Sequence, residues 1–363
     1  MLVQGVYNKK IIFWSQIFSS LFYPYFKIIN YFRPIFDLDS LEIKTILVTE
    51  YHRIGDVLII EPVLRSIKKK YPNAHLILIC NENVENLVRH LGLADEVIPI
   101  NAPWTNWSWS VLKWWRVRSF AKQLSSRQID LAFDFKGDLR NGWFLWLTYP
   151  KVSFGYDTTG GGYFFTNPIK MNQGLHQLDR AEKMVSKIGC QLVDRQNTPQ
   201  GLNDNGAVVL HVGATDQRRS WPTKNWITLV DMLSNKFKTS IVETNESKQL
   251  IEQLKKTNSQ VEYFKGDLIE FTGWLAQQKC LVCPDSMAGH LAAYVQIPVV
   301  SLFGSQAPEL TSPVTNLGVV VKPERPCDHK SNHWRLCRKC MESISPLTVY
   351  GVIYNHIDKE IDK

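Results

Sequence analysis

Short apolar runs alternate with amphipathic stretches over most of the chain. In the first half, five runs predict strands: residues 43–49, 75–80, 96–100, 129–135 and 152–156. An amphipathic stretch between the first two ends near Lys70, where Tyr71-Pro72 stops a helix, and residues 83–91 also have helical spacing. Strands that alternate with helices of this length are typical of parallel βαβ units, so the pattern predicts an α/β domain.

A second series of the same kind follows a polar, turn-rich segment at residues 194–206, which is the clearest linker in the chain. Its apolar runs are residues 207–212, 240–243, 261–264, 279–282 and 298–303. A chain of 363 residues exceeds the usual size of one domain. We therefore expect two doubly wound domains, with a ligand in the cleft between them.

The first 36 residues differ from the rest of the chain, because they contain four basic residues and no acidic one. Their large apolar residues recur at helical spacing, and Ser, Gln, Lys and Asn fill much of the other face. This pattern predicts an amphipathic helix, which either lies in the headgroup layer of an anionic membrane or packs on the protein's own body. Pro24, Lys27 and the polar residues argue against a transmembrane span, and no small-residue cleavage site follows to indicate a signal peptide.

The composition is ordinary for a folded soluble protein. Seven scattered cysteines do not form the even, regularly spaced set of a secreted disulfide framework, which favours a reducing cytoplasm. Three cysteines near the C-terminus, with two histidines between them, have the makings of a tetrahedral zinc site; a solvent-facing thiol cluster explains the pattern too. These residues are Cys327, His329, His333, Cys337 and Cys340.

The segment 283–293 (CPDSMAGHLAA) carries the strongest chemical signal. An apolar strand runs through a tight turn into a helix of small residues, and the free N–H groups and positive dipole end of such a helix attract anions. Asp285 or Ser286 can cap this helix, and His290 lies one turn further on the same side as Ser286. The segment is suited to binding a diphosphate.

Two further loops follow predicted strands. In the first loop, Gly55 permits a tight turn and Asp56 either caps a helix or serves as a general base facing the cleft. In the other, Gly213 and Thr215 precede Arg218 and Arg219. Arginines beside a glycine turn suit phosphate oxygens, although a solvated loop anchored by a buried tryptophan gives the same pattern.

Tryptophans and basic residues are interleaved between residues 104 and 118. Nucleic-acid stacking would use such residues, but no RNA-binding motif accompanies them. Contact with an amphiphilic glycolipid at a membrane interface suits them better, and ordinary core packing accounts for part of the set.

Three ordered motifs resemble glycosyltransferase family 9, the lipopolysaccharide heptosyltransferase family. They are RIGDV with EPVLR at residues 53–65, the segment 211–226, and DSMAGHLAA at 285–293 with the later LFG at 302–304. The resemblance runs from about residue 43 to 357 and implies a GT-B fold of two facing Rossmann-like domains. It divides the chain into an N-terminal amphipathic arm (1–40), an acceptor domain (41–195), a donor-binding domain (205–345) and a C-terminal helix (346–363).

The resemblance also implies roles for individual residues. Asp56 would be the catalytic base of an inverting displacement, and Thr215 and Arg219 would contact the donor diphosphate. The other donor-binding positions would be Asp285, Ser286 and His290. Neither a catalytic metal nor another cofactor is expected.

Two positions depart from the family pattern. Met287 stands where many relatives have glycine, and residues 243–246 (ETNE) replace a more glycine-rich loop. Glu246 is accordingly either a donor contact or a helix cap.

The expected function is therefore inverting transfer of heptose or a similar sugar, from a nucleotide-diphosphate sugar such as ADP-heptose, to a lipopolysaccharide-core or other glycolipid acceptor. The expected location is the inner face of the cytoplasmic membrane, without nucleic acid as a partner. Two alternatives remain: a nucleotide-sugar epimerase or hydrolase of the same fold, and a non-catalytic membrane-associated sugar-binding protein.

Overall fold

The structure is a computed structural model that describes residues 7–105, 110–193, 203, 205–257, 260–328 and 336–357. The chain divides into two compact units, an N-terminal unit of residues 5–194 and a C-terminal unit of residues 195–363. Most of the predicted linker lies outside the described residues. The cleft between the domains stays a prediction.

A six-stranded parallel sheet forms the centre of the N-terminal unit, in the order β3-β2-β1-β4-β5-β6. Its strands are β1 (Thr45–Glu50), β2 (His75–Cys80), β3 (Glu96–Pro99), β4 (Leu131–Asp134), β5 (Val152–Tyr156) and β6 (Asn167–Ile169). Its helices are α1 (Lys9–Tyr31), α2 (Ile54–Lys70), α3 (Glu85–His90), α4 (Val111–Ser125), α5 (Leu139–Leu147) and α6 (Gln177–Val185). The strand order reverses beside β1, so the carboxyl ends of β1 and β4 lie at a switch point where ligands of such sheets bind.

The C-terminal unit repeats this topology, with all strands parallel in the order β12-β11-β10-β7-β8-β9. The strands are β7 (Val208–Leu210), β8 (Thr239–Val242), β9 (Glu262–Phe264), β10 (Cys280–Pro284), β11 (Val299–Leu302) and β12 (Gly318–Val321). The helices are α7 (Thr223–Leu233), α8 (Lys248–Lys256), α9 (Leu268–Leu275), α10 (Met287–Tyr294), α11 (Pro308–Thr311), α12 (Arg338–Glu342) and α13 (Pro346–Ile357).

The central strands are apolar because helices cover both faces of a parallel sheet. Leu47 and Ile77 pack in the core of the N-terminal unit, and Leu210 and Val282 pack in that of the C-terminal unit, all without exposed surface. The predicted α/β class and the predicted parallel arrangement are confirmed.

Sequence periodicity located the central strands well and missed two at the edges. The bounds of β2 and β5 agree with the prediction, whereas β6 and β12 were not predicted. β6 has three residues with Pro168 in the middle, and proline is tolerated at a sheet edge because one side of the strand needs no ladder hydrogen bond.

Helix α1 packs on the body of the N-terminal unit through its polar side. Ser19, the one buried residue of α1, accepts a hydrogen bond at Oγ from the Gly161 N–H at 2.8 Å. Asn30 accepts from the Trp146 indole N–H at 2.8 Å and donates to the Tyr163 carbonyl at 2.5 Å. The ring of Phe26 also packs edge-on against the ring of Trp146.

The fit at Ser19 is close enough to require glycine. Gly160 has a φ of +95°, and a Cβ on it would lie 2.5 Å from the Cβ of Ser19. A side chain here would therefore separate α1 from the loop that follows β5.

The apolar side of α1 faces outward, and so we define an exposed apolar face by its residues. They are Phe13, Trp14, Ile17, Phe18, Leu21, Phe22, Tyr25, Ile28, Tyr31 and Phe32. Of the helices that the structure describes, none is both long and apolar enough to cross a membrane.

A second exposed apolar group lies at the start of α4 and consists of Val111, Leu112 and Trp115. Helix α5 contacts both helices, because its Trp143 packs on Trp114 of α4 and its Trp146 packs on α1. The two exposed groups therefore belong to helices that both contact α5.

Candidate functional site

Asp56 lies in the first turn of α2, immediately after the carboxyl end of β1. Its N-cap residue is Arg53, so Asp56 is the third residue of the helix and not the cap itself. Oδ2 of Asp56 accepts from the Arg53 backbone N–H at 3.2 Å, which is the reciprocal bond of a capping box. The side chain keeps 21% of its surface exposed. Asp56 therefore stabilises the start of α2 and also keeps part of its carboxylate accessible to solvent.

The other oxygen of Asp56 is paired with Lys136, which comes from the loop after β4. Lys136 Nζ donates to Asp56 Oδ1 at 2.8 Å and lies 3.4 Å from Oε2 of the fully buried Glu50. Burial opposes the charge of Lys136, but the two carboxylates outweigh it and raise the pKa of the ammonium above its ordinary value. One cation from the loop after β4 thus serves two carboxylates of the β1–α2 segment.

A second buried carboxyl, Asp134, supports the loop that carries Lys136. It accepts hydrogen bonds from the Gly137 N–H at 3.0 Å and from Asn141 Nδ2 at 3.2 Å. The amide oxygen of Asn141 in turn accepts from the Trp104 indole at 2.7 Å. Burial raises the pKa of Asp134 to about 6 despite these hydrogen bonds.

The N-terminal segment also reaches this loop. The Tyr7 hydroxyl donates to the Lys136 carbonyl at 3.0 Å. Burial and then the nearby carboxylates of Asp138 and Asp134 raise the pKa of this phenol well above its ordinary value, so it stays a neutral donor. The segment that leads into α1 is therefore bonded directly to the loop that holds Asp56.

Sequence reasoning identified Asp56 and missed Lys136, Glu50 and Asp134. A signal was present, since DFKGD begins at the last residue of a buried strand, and the carboxyl ends of parallel strands meet at one edge of the sheet. What the pattern did not provide was the pairing of β1 with β4, which is a tertiary fact.

In the C-terminal unit, the structure brings together two residues that the sequence placed in separate motifs. Arg219 Nη1 lies 3.1 Å from Asp285 Oδ2, and both side chains are mostly buried. The same carboxylate oxygen accepts from Gln306 Nε2 at 3.3 Å. The turn after β7 and the end of β10 therefore meet through an ion pair.

The neighbouring arginine behaves differently. Arg218 points to Asp216 with two hydrogen bonds, of 2.9 and 2.6 Å, and is half exposed. Its N–H also donates to Asp216 Oδ1, so the pair belongs to the local turn. Thr215 is exposed on the same turn. Of the two arginines, only Arg219 reaches the end of β10.

Helix α10 begins where the sequence predicted, with Ser286 as its N-cap. The Ser286 side chain makes no capping hydrogen bond, so it does not occupy the N–H groups of the first turn. Met287 is half-buried beside it, and His290 is buried one turn further along. The helix end that the sequence predicted to bind an anion therefore lies beside Arg219, and anion binding there stays a prediction.

Residues from the ends of β7 and β8 approach each other at Gly213. A Cβ on Gly213 would lie 3.2 Å from His211 Cε1, 3.4 Å from Glu246 Oε2 and 3.5 Å from Thr244 Oγ1. Burial lowers the pKa of His211 to about 4, so its ring is neutral near pH 7. Glu246 therefore lies close to the turn that bears Thr215. It also lies two residues before the start of α8, so its predicted roles as a donor contact or a helix cap both stay predictions.

The tryptophans of the segment 104–118 differ in how far they are buried. Trp104 is buried, Trp114 is half-buried and Trp115 is exposed. Trp107 and Trp109 lie outside the described residues. Core packing thus accounts for Trp104, whereas Trp115 faces solvent with the start of α4.

Comparison with known proteins matches this architecture. A family model described as glycosyltransferase family 9 (heptosyltransferase) matches residues 117–339, which is more than half of the chain. Lipopolysaccharide heptosyltransferase 1 of Pseudomonas aeruginosa is 23% identical over 306 residues, covering 78% of this chain and 84% of that protein.

Solved structures share the fold. E. coli heptosyltransferase WaaC, determined with ADP, has a TM-score of 0.68 at 17% identity and covers 86% of this chain and 99% of its own. E. coli ADP-heptose lps heptosyltransferase II has a TM-score of 0.68 at 14% identity, with 88% and 100% covered. The resemblance seen in the three motifs and the GT-B fold it implied are confirmed. The chain belongs to glycosyltransferase family 9, the heptosyltransferase family, and is a glycosyltransferase.

Proposed function

We propose that this glycosyltransferase moves heptose from ADP-heptose to a lipopolysaccharide-core or similar glycolipid, with inversion at the anomeric carbon. The observation that carries the proposal is the Arg219–Asp285 pair at the N-terminal end of α10, which places a guanidinium beside a helix terminus of the kind that binds phosphates. Among structures of the same fold, WaaC was also solved with ADP-2-deoxy-2-fluoro heptose, and heptosyltransferase II is described as an ADP-heptose enzyme. These support the choice of nucleotide and sugar.

The chemistry requires one base and one stabilised leaving group. In the proposed reaction the Asp56 carboxylate takes the proton of the acceptor hydroxyl while the hydroxyl oxygen bonds to the anomeric carbon. The bond from that carbon to the diphosphate oxygen breaks at the same time, and ADP leaves with the electron pair. Lys136 holds this carboxylate in place through an ion pair of 2.8 Å.

Negative charge grows on the leaving diphosphate, and the C-terminal unit offers two means of stabilising it. The Arg219 guanidinium provides charge with fixed geometry, and the first-turn N–H groups of α10 provide aligned dipoles. Thr215, Ser286 and His290 are proposed as further donor contacts. We propose that no metal ion or other cofactor takes part in this step, so turnover should not depend on added Mg²⁺.

The proposed domain roles follow from these sites. The N-terminal domain (41–195) would bind the acceptor beside Asp56, and the C-terminal domain (205–345) would bind the donor beside Arg219. The acceptor is a lipid-linked sugar, so the enzyme needs to work at a membrane surface.

The exposed apolar face of α1 supports a place on the inner surface of the cytoplasmic membrane. The polar side of α1 is already occupied by Ser19 and Asn30, so the face left over is apolar and aromatic. Residues 1–36 carry no acidic side chain, and neither do residues 97–129, which include the exposed start of α4. A basic, aromatic surface of this kind suits the headgroup layer of anionic lipids.

The test of the proposed function is an assay that follows ADP release from ADP-heptose in the presence and absence of a heptose-deficient lipopolysaccharide acceptor. We expect ADP release that requires the acceptor, together with a product one heptose heavier. Equal release without acceptor would identify a hydrolase instead. Absence of any nucleotide-dependent rise in the unfolding temperature would refute the donor site, since a ligand at 100 times its Kd adds about 2.7 kcal/mol.

A further inference from the structure

Three thiols converge in the C-terminal unit, and none of them is among the residues assigned to sugar transfer. The Sγ atoms of Cys327, Cys337 and Cys340 all lie within 4.8 Å of one another. Among the described residues, these are the ones whose His, Cys, Asp and Glu side chains cluster closely enough to hold a metal ion. Cys340 is buried, and the other two are half-buried.

The backbone presents these thiols in an organised way. Cys327 follows strand β12, and Cys337 and Cys340 form a CxxC pair in which Cys337 is the N-cap residue of α12. The backbone N–H groups of Lys339 and Cys340 both reach the Cys337 sulfur. Amide donors directed at the first sulfur of a CxxC turn orient and stabilise a metal-bound thiolate.

We propose that Cys327, Cys337 and Cys340 bind a structural zinc ion. Three thiolates are soft ligands that favour zinc or iron over hard cations such as Mg²⁺, and a closed tetrahedral site suits zinc. Zinc takes a fourth ligand. The sequence between Cys327 and Cys337 contains His329 and His333, which lie outside the described residues.

The bound ion would hold α12 against the turn that carries Arg219 of the proposed donor site. Helix α12 packs against the turn Gln217–Arg219, so the zinc-bound segment lies next to the arginine that pairs with Asp285. Met341 of α12 lies against Gly304, where a Cβ would come within 2.9 Å of the Met341 side chain. Just beyond α12, the Ile344 carbonyl accepts from the Trp221 indole at 3.0 Å. Metal binding would hold α12 in these contacts.

Two other states of the thiols lead to different measurements. A disulfide between two of them would lower the mass of the intact chain by two hydrogens and leave the third thiol free. Three reduced, unligated thiols would react fully with a thiol reagent. A zinc site gives neither result, since bound thiolates are protected and the chain carries one metal ion.

The experiment measures metal content of the full-length protein purified under reducing conditions, by native mass spectrometry and elemental analysis. We expect one zinc per chain in the parent and in Cys190→Ser, which removes a buried cysteine of the N-terminal unit. We expect less than a tenth of that content in Cys337→Ser and in Cys327→Ser. Replacement of zinc by Co²⁺ should give thiolate charge-transfer and tetrahedral d–d absorption bands, which report ligation independently of activity.

Reduced, folded parent protein that retains no metal and acquires none on titration with Zn²⁺ or Co²⁺ would overturn the proposal, as would full zinc content in both cysteine variants. If Cys337→Ser does not fold, chelation of the parent gives the same comparison. The link to Arg219 rests on the proposed function and is measured separately: zinc removal should weaken ADP binding at least ~tenfold. Zinc bound stoichiometrically to a protein that binds no nucleotide would refute the donor site and leave the metal site standing.

Discussion

Lys136 and Asp56, which are 80 residues apart in the sequence, form an ion pair of 2.8 Å at the carboxyl ends of β4 and β1. The pair links a lysine that the sequence did not single out to the carboxylate that it did. It also gives Asp56 two separate anchors, because its other oxygen accepts from the Arg53 N–H. A general base benefits from this arrangement, since a carboxylate held in place is already oriented to accept a proton.

Replacing the proposed base should abolish turnover without unfolding the protein. Asp56→Asn keeps the shape of the side chain and removes its ability to accept a proton, so we expect kcat to fall at least ~100-fold. The free energy of unfolding should fall by about 1–2 kcal/mol at most, which is the contribution of one partly exposed ion pair and one cap bond. The control is Asp179→Asn, an exposed carboxylate in the first turn of α6. Retention of most of the activity in Asp56→Asn would show that another group is the base.

The two adjacent arginines offer a matched comparison for donor binding. Arg219→Ala removes the guanidinium that pairs with Asp285, and a charge-assisted hydrogen bond is worth about 1.5–3 kcal/mol. We therefore expect ADP affinity to fall ~10- to 100-fold by calorimetry. Arg218→Ala removes a guanidinium that is paired with Asp216 on the surface, and should change affinity less than ~3-fold. Equal losses in the two variants would indicate a general electrostatic effect in place of a defined contact.

The exposed apolar face predicts binding to anionic vesicles. Phe18, Leu21 and Ile28 are replaced together by serine, and each buried apolar side chain is worth about 1.5–3 kcal/mol. Partitioning to vesicles that contain anionic lipid should fall at least ~100-fold in a sedimentation assay.

Leu347→Ser is the control for this measurement, because Leu347 is an equally exposed leucine in the C-terminal unit. Transfer to a water-soluble acceptor fragment should stay unchanged in the triple variant, since α1 does not supply the proposed base. Undiminished vesicle binding by the triple variant would place the membrane contact elsewhere.

Attachment of α1 to the body depends on the glycine that faces Ser19. Gly160→Ala introduces a Cβ 2.5 Å from the Cβ of Ser19 at a φ of +95°, so we expect a cost of about 1–3 kcal/mol. Amide hydrogen exchange in α1 should then accelerate at least ~fivefold. Gly174→Ala, where the nearest atom is 3.5 Å away, should leave exchange unchanged. Unaltered protection of α1 in Gly160→Ala would mean that its other contacts suffice.

His211 should make stability depend on pH in a specific window. Burial lowers its pKa to about 4 in the folded protein, while the unfolded chain titrates near the ordinary value of about 6.5. Between those values the unfolded state binds a proton that the folded state excludes, so stability is lost as pH falls from 6.5 towards 4. Above pH 6.5 the residue has no such effect.

The size of this effect is on the order of 3 kcal/mol. It is measured as the difference in denaturant midpoint between the parent and His211→Gln, followed from pH 7.5 to 4.5. The parent should lose stability relative to the variant on acidification. A ring resonance of His211 that titrates near pH 6.5 by NMR would contradict the expectation.

Much of the fold could be read from local patterns. The apolar runs located the central strands because a strand covered on both faces must be apolar along its whole length, whatever its neighbours are. The edge strands β6 and β12 escaped detection because they are short and only partly covered. The motifs around Asp56, Arg219 and Asp285 were visible because each is a strand end, a turn and a helix start within about a dozen residues.

Contacts between distant residues decided the rest. The sequence by itself determined that α1 would be amphipathic, but tertiary structure decided that its polar side would face the body, since Ser19 and Asn30 find partners more than 100 residues away. In the same way, Lys136 reaches Asp56 and Arg219 reaches Asp285 only because parallel strands bring remote loops to one edge of a sheet. Periodicity reports what each segment must bury, whereas the pairing of strands decides which charged groups meet.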